Sequence, residues 1–271
     1  MSEQQDQIPA YGTPFQAPDT VPLEPAKLGA LGRLTGVLFS PGETFEDINR
    51  HPTWIAPMII WILLGILGIG CFVWRVKPNW TAITRAQIVK RAERTGQPTT
   101  GEQFEKSVEL SGTVTKYITF AIPVFFPLGA LILSGMYALG MMFIQAKTTF
   151  KKIFSVVLWT FASLGAISII VTFASLMVID TTNLSVLPPD RWATVVPTNL
   201  AALLDPTSPV MRALLTSIDV FAIWRLILMS IGLAAIAGSR KITSGKTASI
   251  VVGVWVLGTL FGVAMAAAFG G

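Results

Sequence analysis

The sequence predicts an all-α protein, a polytopic membrane helix bundle with five transmembrane helices. Hydrophobic residues make up 52% of the 271 residues and charged residues only 13%, whereas a soluble domain typically carries about 25% charged residues. Four uncharged stretches each exceed the roughly 20 residues that a helix needs to cross a membrane. A fifth apolar stretch carries one charge, Arg225. These continuous runs argue against a membrane β-barrel, whose segments alternate in hydrophobicity.

The membrane domain is predicted to extend over residues 54–271. Its spans are expected at about 54–74, 117–146, 153–179, 219–239 and 247–269. Pro123 and Pro127 should kink the first half of the second span. The segments 75–116 and 180–217 are expected to be helical and to lie on the outer side. Because the number of spans is odd, the two termini should lie on opposite sides of the membrane.

Two further segments precede the first span. Residues 1–26 are predicted to be a disordered cytoplasmic tail, because they have too little apolar surface to offset the entropy of ordering. They also lack the basic start and apolar core of a signal peptide. Residues 27–53 are predicted to form short interfacial helices, because leucines recur there at helical spacing. Ser40 and Pro41 mark the start of a second helix that ends near Asn49.

The outer segment 75–116 is predicted to contain two short helices, at about 84–95 and 101–111. Each begins at a candidate capping box, formed by Thr84 and Gln87 in the first helix and by Thr100 and Gln103 in the second. A glycine and a proline between the two helices end the first. The basic residues of this segment are expected to face water or lipid phosphates.

The short loops carry an uneven distribution of basic residues that predicts the orientation. The loops after the second and fourth spans lie on one side of a five-span bundle. They hold the candidate contacts for anionic lipid headgroups: Lys147, Lys151, Lys152, Arg240, Lys241 and Lys246. The positive-inside rule therefore places the N-terminus in the cytoplasm and the C-terminus outside.

Three stretches, taken in order, resemble the Yip domain family. They are "LFSPGETFEDINRHPTWIAPM" before the first span, "KTTFKKIFSVVLW" leading into the third, and "IDVFAIWRLILMSIGLA" in the fourth. The likeness covers about residues 36–270 and is nearest to bacterial members. It implies five spans with a cytoplasmic N-terminal region, and for a bacterial member the inner membrane. Eukaryotic relatives act in vesicle traffic and contact Rab-type GTPases, so the resemblance implies membrane organisation or partner recruitment.

No motif in the sequence predicts an enzyme, a cofactor or a nucleic-acid partner. "SRKITSGKTA" ends like a phosphate loop, but Arg240 occupies the position of its first glycine, so no nucleotide is expected. Glu43, Asp47 and the lone His51 are spaced to share one helix face. A metal site there is conceivable, and a polar interfacial face is the more economical interpretation. Cys71 lies alone in an apolar run and is expected to serve packing.

Arg225 is the main candidate for an intramembrane polar site, because a charge in the bilayer centre costs about 3 kcal/mol on insertion scales. In one interpretation Arg225 snorkels, or pairs with Asp180 or Asp205 and so locks the third and fourth spans. Asp219, at the start of the fourth span, lies on a different face of that helix. In the other interpretation Arg225 holds a lipid headgroup or another anion between the helices.

A row of small residues along the last span completes the candidate sites. It consists of Gly258, Gly262, Ala266 and Gly270, each four residues apart, and suits close helix packing within the bundle or in a dimer. Two functions remain open. One is a non-enzymatic protein that organises membrane or recruits a partner, either another membrane protein or a second copy of this chain. The alternative is a transporter, channel or lipid-binding protein that uses a polar cavity around Arg225.

Overall fold

The computed structural model describes residues 26–96, 98–187, 189–239 and 241–269. The predicted tail up to residue 25 and the loop residue Arg240 lie outside them, as does Gly270. The described helices are α1 (Ala30–Phe39), α2 (Pro41–Arg50), α3 (Ile55–Val76), α4 (Trp80–Thr95), α5 (Glu102–Ala121), α6 (Phe126–Phe143), α7 (Phe150–Val178), α8 (Leu200–Leu204), α9 (Pro209–Ser217), α10 (Val220–Ala235) and α11 (Ser244–Phe269). Within these ranges no strand forms beyond an isolated bridge between Asn199 and Asp219, which confirms the all-α class.

Four helical stretches are long and apolar enough to cross a membrane. They are Ile55–Val76, Glu102–Phe143, Phe150–Val178 and Ser244–Ala268. The remaining span, the fourth along the chain, is α10, an apolar helix of 16 residues. Its length of about 24 Å is shorter than the hydrocarbon core of about 30 Å. The helix is short because Asp219 caps its start and Gly238 adopts a left-handed conformation just beyond its end.

The second span is longer than the sequence predicted, because α5 runs into it. The helix expected to end near residue 111 continues to Ala121, and a 3₁₀ turn, Ile122–Phe125, joins it to α6. Pro123 and Pro127 each lie in the first turn of a helical segment, where the missing N–H of proline leaves no helical hydrogen bond unmade.

The predicted capping boxes are wrong. Asn79, not Thr84, caps α4 by accepting a hydrogen bond from the N–H of Ala82, and α4 therefore begins one turn earlier. Thr84 is buried, and its hydroxyl donates to the carbonyl of Trp80. The helix α5 begins after Gly101 rather than at Thr100. An asparagine side chain caps a helix at least as well as a threonine side chain does. Asn79 also lies nearer than Thr84 to the preceding span.

The helix α7 forms the centre of the bundle. It packs against α3, α6 and α10, and against α1 at its start. Its residues from 153 to 160 are all buried, among them Trp159, which is 1% exposed. Farther along α7, the ring of Phe161 stacks on Trp61 of α3 at 4.6 Å between ring centres, and Trp61 stacks on Phe126 of α6 at 4.7 Å.

The first two helices are more deeply packed than interfacial helices. Phe45 and Ile48 of α2 are fully buried and belong to the core of the bundle. The ring of Phe45 lies against Gly232 of α10. A Cβ atom added at Gly232 would lie 3.1 Å from that ring and 2.5 Å from a methyl group of Val156. The helix α2 therefore docks on α10 and α7, while the side chains on the far side of α1 stay exposed.

A buried ion pair, which the sequence did not predict, holds α1 to α2. Arg33 contacts Asp47 at 2.8 Å, with side chains 3% and 6% exposed. The same guanidinium donates to the carbonyl of His51 at 3.0 Å and to the hydroxyl of Thr53 at 2.7 Å. Asp47 is thus turned away from the polar face on which it was expected beside Glu43. In the described residues no three potential metal ligands cluster.

The bundle has two ends, which we name for their residues. The basic-loop face comprises α1, α2, the loop 144–149 and residues 236–239 and 241–243. These two loops adjoin, because Lys147 donates its N–H to the carbonyl of Ala237 at 2.9 Å. Gly238, at φ +69°, is required here, since an added Cβ would lie 2.5 Å from the carbonyl oxygen of Lys147.

The opposite end is the hairpin face, which comprises α4, the first half of α5, and residues 179–187 and 189–219. The helical hairpin of α4 and α5 is closed by the ion pair of Arg85 with Glu105. The ring of Trp192 lies 4.8 Å from Phe72 of α3 and 5.9 Å from Trp80 of α4, and so holds the residues after α7 against these two helices.

Candidate functional site

The candidate site lies where α10 begins at the hairpin face. The carboxylate of Asp219 accepts hydrogen bonds from the N–H groups of Phe221 and Ala222, at 2.8 and 3.1 Å, and so starts the helix. Arg225 follows six residues later, about 9 Å along the helix axis. The sequence of α10 is otherwise apolar, so the helix carries this one charge into the bundle.

Arg225 is half-buried and lies over an aromatic ring. Its guanidinium carbon is 5.4 Å from the centre of the Phe161 ring on α7. The side chains of Tyr137 on α6 and of Asp219 lie in its neighbourhood. Within the described part of the chain, Arg225 makes no hydrogen bond and no ion pair. The guanidinium is therefore held between spans by an aromatic face, with its N–H donors not used by the protein.

Neither carboxylate predicted to pair with Arg225 does so in the described residues. Asp205 lies 3.9 Å from Arg191 instead. Asp180, just beyond the end of α7, accepts hydrogen bonds from the hydroxyl and the N–H of Thr182, at 2.6 and 2.9 Å. These bonds lower the pKa of the Asp180 carboxyl below its usual range, and the bond from the hydroxyl has the larger effect. Spans three and four are joined, but through Phe161 rather than an ion pair.

Arg225 opens onto a cavity of about 1840 Å³ that reaches from α4 to α11. Residues of α4, α6, α7, α9, α10 and α11 form its walls. Its described lining includes one carboxylate, Asp219, and the basic residues Lys90, Arg91, Arg191, Arg212 and Arg225. Arg212 is only 8% exposed and donates to the carbonyl of Pro206 at 3.0 Å. The excess of positive charge makes the cavity attractive to an anion.

Tyr137 adds a neutral donor to the same cavity. It lines the cavity and is 4% exposed. Its hydroxyl has no hydrogen-bond partner among the described residues, and the side chain lies near Arg225. A buried tyrosine hydroxyl usually finds a partner, so Tyr137 and Arg225 together offer unused donors to a ligand.

The predicted stripe of small residues on α11 also faces this cavity. Gly258, Gly262 and Ala266 belong to its lining. An added Cβ at Gly258 or Gly262 would meet no atom within 4 Å. The stripe is therefore not a close helix contact within the bundle, which was the expected role. Gly270, its last predicted member, lies outside the described residues.

The basic loop residues lie at the other end of the molecule. Lys147, Lys151, Lys241 and Lys246 are exposed at the basic-loop face or on the adjoining helix ends, and Lys152 is half-buried. Arg240 is not described. Because Lys147 and Lys241 belong to adjoining loops, the positive charges gather on one surface, while the cavity opens at the hairpin face.

The residues that share the cavity with Arg225 were not predicted from the sequence. Phe161 and Tyr137 lie in uncharged spans, where aromatic residues are ordinary packing residues. Arg212 lies in α9, within the segment 180–217, for which the sequence predicts helical structure but no site. The one available signal was the position of Arg225 itself, which implied a partner without identifying it.

Comparisons with known proteins identify relatives of this chain. The Yip1 domain matches residues 35–266. The chain is also 27% identical over 229 residues to membrane protein YknW of Bacillus subtilis (strain 168), an alignment that covers 84% of this chain and 88% of the relative. No solved structure matches.

Proposed function

This chain belongs to the Yip1 domain family, and we propose that it is a non-enzymatic membrane protein that binds an anionic, phosphate-bearing group at Arg225. The observation that carries the proposal is an intramembrane arginine that makes no hydrogen bond and no ion pair among the described residues, in a cavity that four further basic side chains line. A lipid headgroup is the anion that a protein inside a membrane meets most often.

The energetics favour an anion over the aromatic contact alone. A charge at the bilayer centre costs about 3 kcal/mol on insertion scales. A cation–π contact returns about 0.5 to 2 kcal/mol, and Asp219, whose Oδ1 accepts both cap bonds of α10, forms no ion pair with Arg225. Water in the cavity can hydrate the guanidinium in part. A phosphate would accept its parallel N–H groups in bidentate form, which adds energy and direction.

We place the basic-loop face in the cytoplasm of a bacterial inner membrane, with the cavity open to the outer leaflet. The lysines of the adjoining loops support this orientation through the positive-inside rule. Lys147, Lys151, Lys152, Lys241 and Lys246, together with Arg240, would then contact anionic headgroups of the inner leaflet. Two different basic surfaces would thus contact the two leaflets.

A second candidate function is membrane organisation or recruitment of a partner, another protein or a second copy, at the basic-loop face. It is favoured by two exposed apolar side chains on α1, Leu31 at 75% and Phe39 at 76% exposed. The replacement Leu31→Glu with Phe39→Glu should then abolish co-purification of a partner from native membrane. It should leave lipid at the Arg225 cavity unchanged.

The primary proposal is tested by native mass spectrometry of the purified full chain with phosphatidylglycerol. We expect Arg225→Leu to lower lipid occupancy about tenfold or more, since a hydrogen bond to a charged group contributes about 1.5 to 3 kcal/mol. Arg225→Lys should retain part of it, because lysine keeps the charge but not the fork. The matched control is Arg85→Leu, which removes an exposed arginine outside the cavity lining. Equal occupancy in Arg225→Leu and the parent would refute the proposal.

A further inference from the structure

We infer that the cavity is a water-filled vestibule, through which a small water-soluble phosphate ester reaches Arg225 from the hairpin face. The inference rests on the proposed function and adds the path and the source of the phosphate-bearing group. The vestibule is the part of the cavity between Arg225 and the hairpin face, and its walls include α9 and the last half of α11.

The vestibule exists because α10 begins inside the bundle rather than at its edge. The hydroxyl of Thr247 on α11 donates to the carbonyl of Ser230 on α10 at 2.6 Å, which sets the register of these two antiparallel helices. This register places Val220, the first residue of α10, level with about residue 257 of α11. The helix α11 continues to Phe269, about 18 Å farther towards the hairpin face.

The fourth span is therefore a broken helix. Only Ile218 and Asp219 separate α9 from α10, and both helices pack on α11. The backbone at the break is held by residues 198–200: the carbonyl of Ile218 accepts from Leu200 at 3.2 Å, and Val220 donates to the carbonyl of Thr198 at 3.0 Å. Non-helical backbone inside a membrane bundle is tolerated only where it is buried in protein or lines a water-filled cavity, and broken spans hold the substrate sites of many transporters.

The lining of the cavity is polar enough to hold water. Side chains with hydroxyl or amide groups contribute much of it, namely Thr198, Asn199, Thr207, Thr216, Ser217 and Thr259. An acyl chain would deprive these groups of hydrogen bonds, which is costly, whereas water or a hydroxylated phosphate ester can supply them. In the described lining Lys90, Arg91, Arg191 and Arg212 outnumber one carboxylate, so the path favours an anion.

Arg225 lies at the inner end of the vestibule. The register of α10 and α11 places it level with about residue 252, so Gly258 and Gly262 lie between Arg225 and the hairpin face. Farther along α10, Leu228 and Met229 are 1% and 0% exposed. Their packing closes the cavity towards the basic-loop face, so an anion that enters from the hairpin face stops at Arg225.

Tyr137 supplies a second, independent observation at this inner end. It is 4% exposed and lines the cavity, and its hydroxyl has no hydrogen-bond partner in the described part of the chain. A phosphate oxygen can accept from this hydroxyl while the guanidinium of Arg225 binds two others in bidentate form. These donors specify an anionic acceptor, which a polar vestibule alone would not.

The vestibule is tested by thiol labelling of the full chain in lipid nanodiscs, in a Cys71→Ser background. Gly258→Cys and Gly262→Cys place a thiol on the α11 wall, where an added Cβ meets no atom within 4 Å. Leu257→Cys and Phe261→Cys are the matched controls, because these neighbours are exposed and lie outside the cavity lining. A thiol must ionise to react with a charged methanethiosulfonate reagent, and it ionises in water but not in apolar surroundings.

We expect the two vestibule thiols to react about tenfold faster than the two control thiols, which face lipid at the same depth. All four thiols should react alike in denaturant, which controls for the reagent. Equal rates at the four positions in nanodiscs would overturn the vestibule.

The ligand is tested with sn-glycerol 3-phosphate, and glycerol is its uncharged control. With its phosphate at Arg225, the glycerol part of the ester extends towards Gly258. At about ten times its Kd the ester should slow labelling of Gly258→Cys about tenfold, since only unoccupied protein reacts. Glycerol should have no effect, and Arg225→Leu should remove the protection. Labelling that the ester does not slow would overturn the inference.

Native mass spectrometry distinguishes the two sources of the phosphate. Phosphatidylglycerol carries the same glycerol phosphate, so sn-glycerol 3-phosphate should displace it from the parent. If the lipid stays bound through Arg225 and the soluble ester neither binds nor protects, the ligand is a lipid headgroup, and the inference is overturned while the proposed function stands. If binding of neither probe depends on Arg225, the proposed function itself fails.

Discussion

The guanidinium carbon of Arg225 lies 5.4 Å from the centre of the Phe161 ring, so an aromatic face rather than a carboxylate receives the one charge of α10. Phe161 in turn stacks on Trp61, and Trp61 stacks on Phe126. One column of side chains therefore joins α10, α7, α3 and α6. A helix of 16 residues, short for a membrane span, is held in the bundle in part by this column.

Replacement of Phe161 should destabilise the bundle through this column. Phe161→Leu removes an aromatic stack of about 0.5 to 1.5 kcal/mol and the cation–π contact. We expect a total loss of about 1 to 3 kcal/mol in detergent, measured by thermal unfolding. Phe173→Leu, an exposed position on the same helix, is the control and should change little. Equal melting temperatures for the two variants would contradict the role of the column.

Arg225 should couple energetically to Phe161 and not to the predicted carboxylates. In double-mutant cycles on thermal stability, Arg225→Leu with Phe161→Leu should be less destabilising than the sum of the single changes. The difference should be near the 0.6 kcal/mol average for contacts inside a membrane. Arg225→Leu with Asp180→Asn or with Asp205→Asn should be additive. A coupling energy of similar size between Arg225 and either aspartate would restore the ion-pair interpretation.

Breaking the buried ion pair of Arg33 with Asp47 should be costly. Asp47→Leu leaves a buried charge without its partner, and such changes cost about 3 to 5 kcal/mol. The double variant Arg33→Met with Asp47→Leu should recover most of that loss, because neither charge then remains buried. Lys106→Met, which breaks an exposed pair with Glu102, is the control and should be neutral in thermal unfolding. A double variant no more stable than Asp47→Leu would show that the pair does not act as a unit.

The position of Gly232 should tolerate no side chain. A Cβ there would lie 2.5 Å from a methyl group of Val156 and 3.1 Å from the Phe45 ring. We expect Gly232→Ala to destabilise by about 1 to 3 kcal/mol through overpacking. Gly253→Ala, which meets no atom within 4 Å, should be neutral or slightly stabilising. A neutral Gly232→Ala would mean that α2 is not tightly docked on α10.

The orientation can be measured by thiol labelling in intact cells, in a Cys71→Ser background. Cysteines placed at Thr149 and Thr243, exposed on the basic-loop face, should resist an impermeant reagent. Cysteines at Gln103 and Asn183, exposed on the hairpin face, should react. All four should react after the membrane is permeabilised, which controls for accessibility. The opposite pattern would reverse the proposed orientation.

The sequence by itself determined the class of the protein, the five-span bundle and the grouping of its basic loops. These features depend on local properties: the length of an apolar run, compared with the thickness of the hydrocarbon core, and the count of lysines and arginines beside it. It also located the second short helix, which the structure places at Pro41–Arg50. Neighbouring residues carry all of this information, so no knowledge of packing was required.

Only the tertiary structure decided which residues meet. Arg225 and Phe161 are 64 positions apart, and Arg33 was not suspected of pairing with Asp47. Each spacing permits several partners, and the packing of α7 against α10 and of α1 against α2 selects one. The same holds for the small residues of α11. Their spacing of four suits helix contact, yet they line a cavity, and an added Cβ at Gly258 or Gly262 would meet no atom within 4 Å. A periodic pattern fixes a face of a helix, and its neighbours decide whether that face is covered.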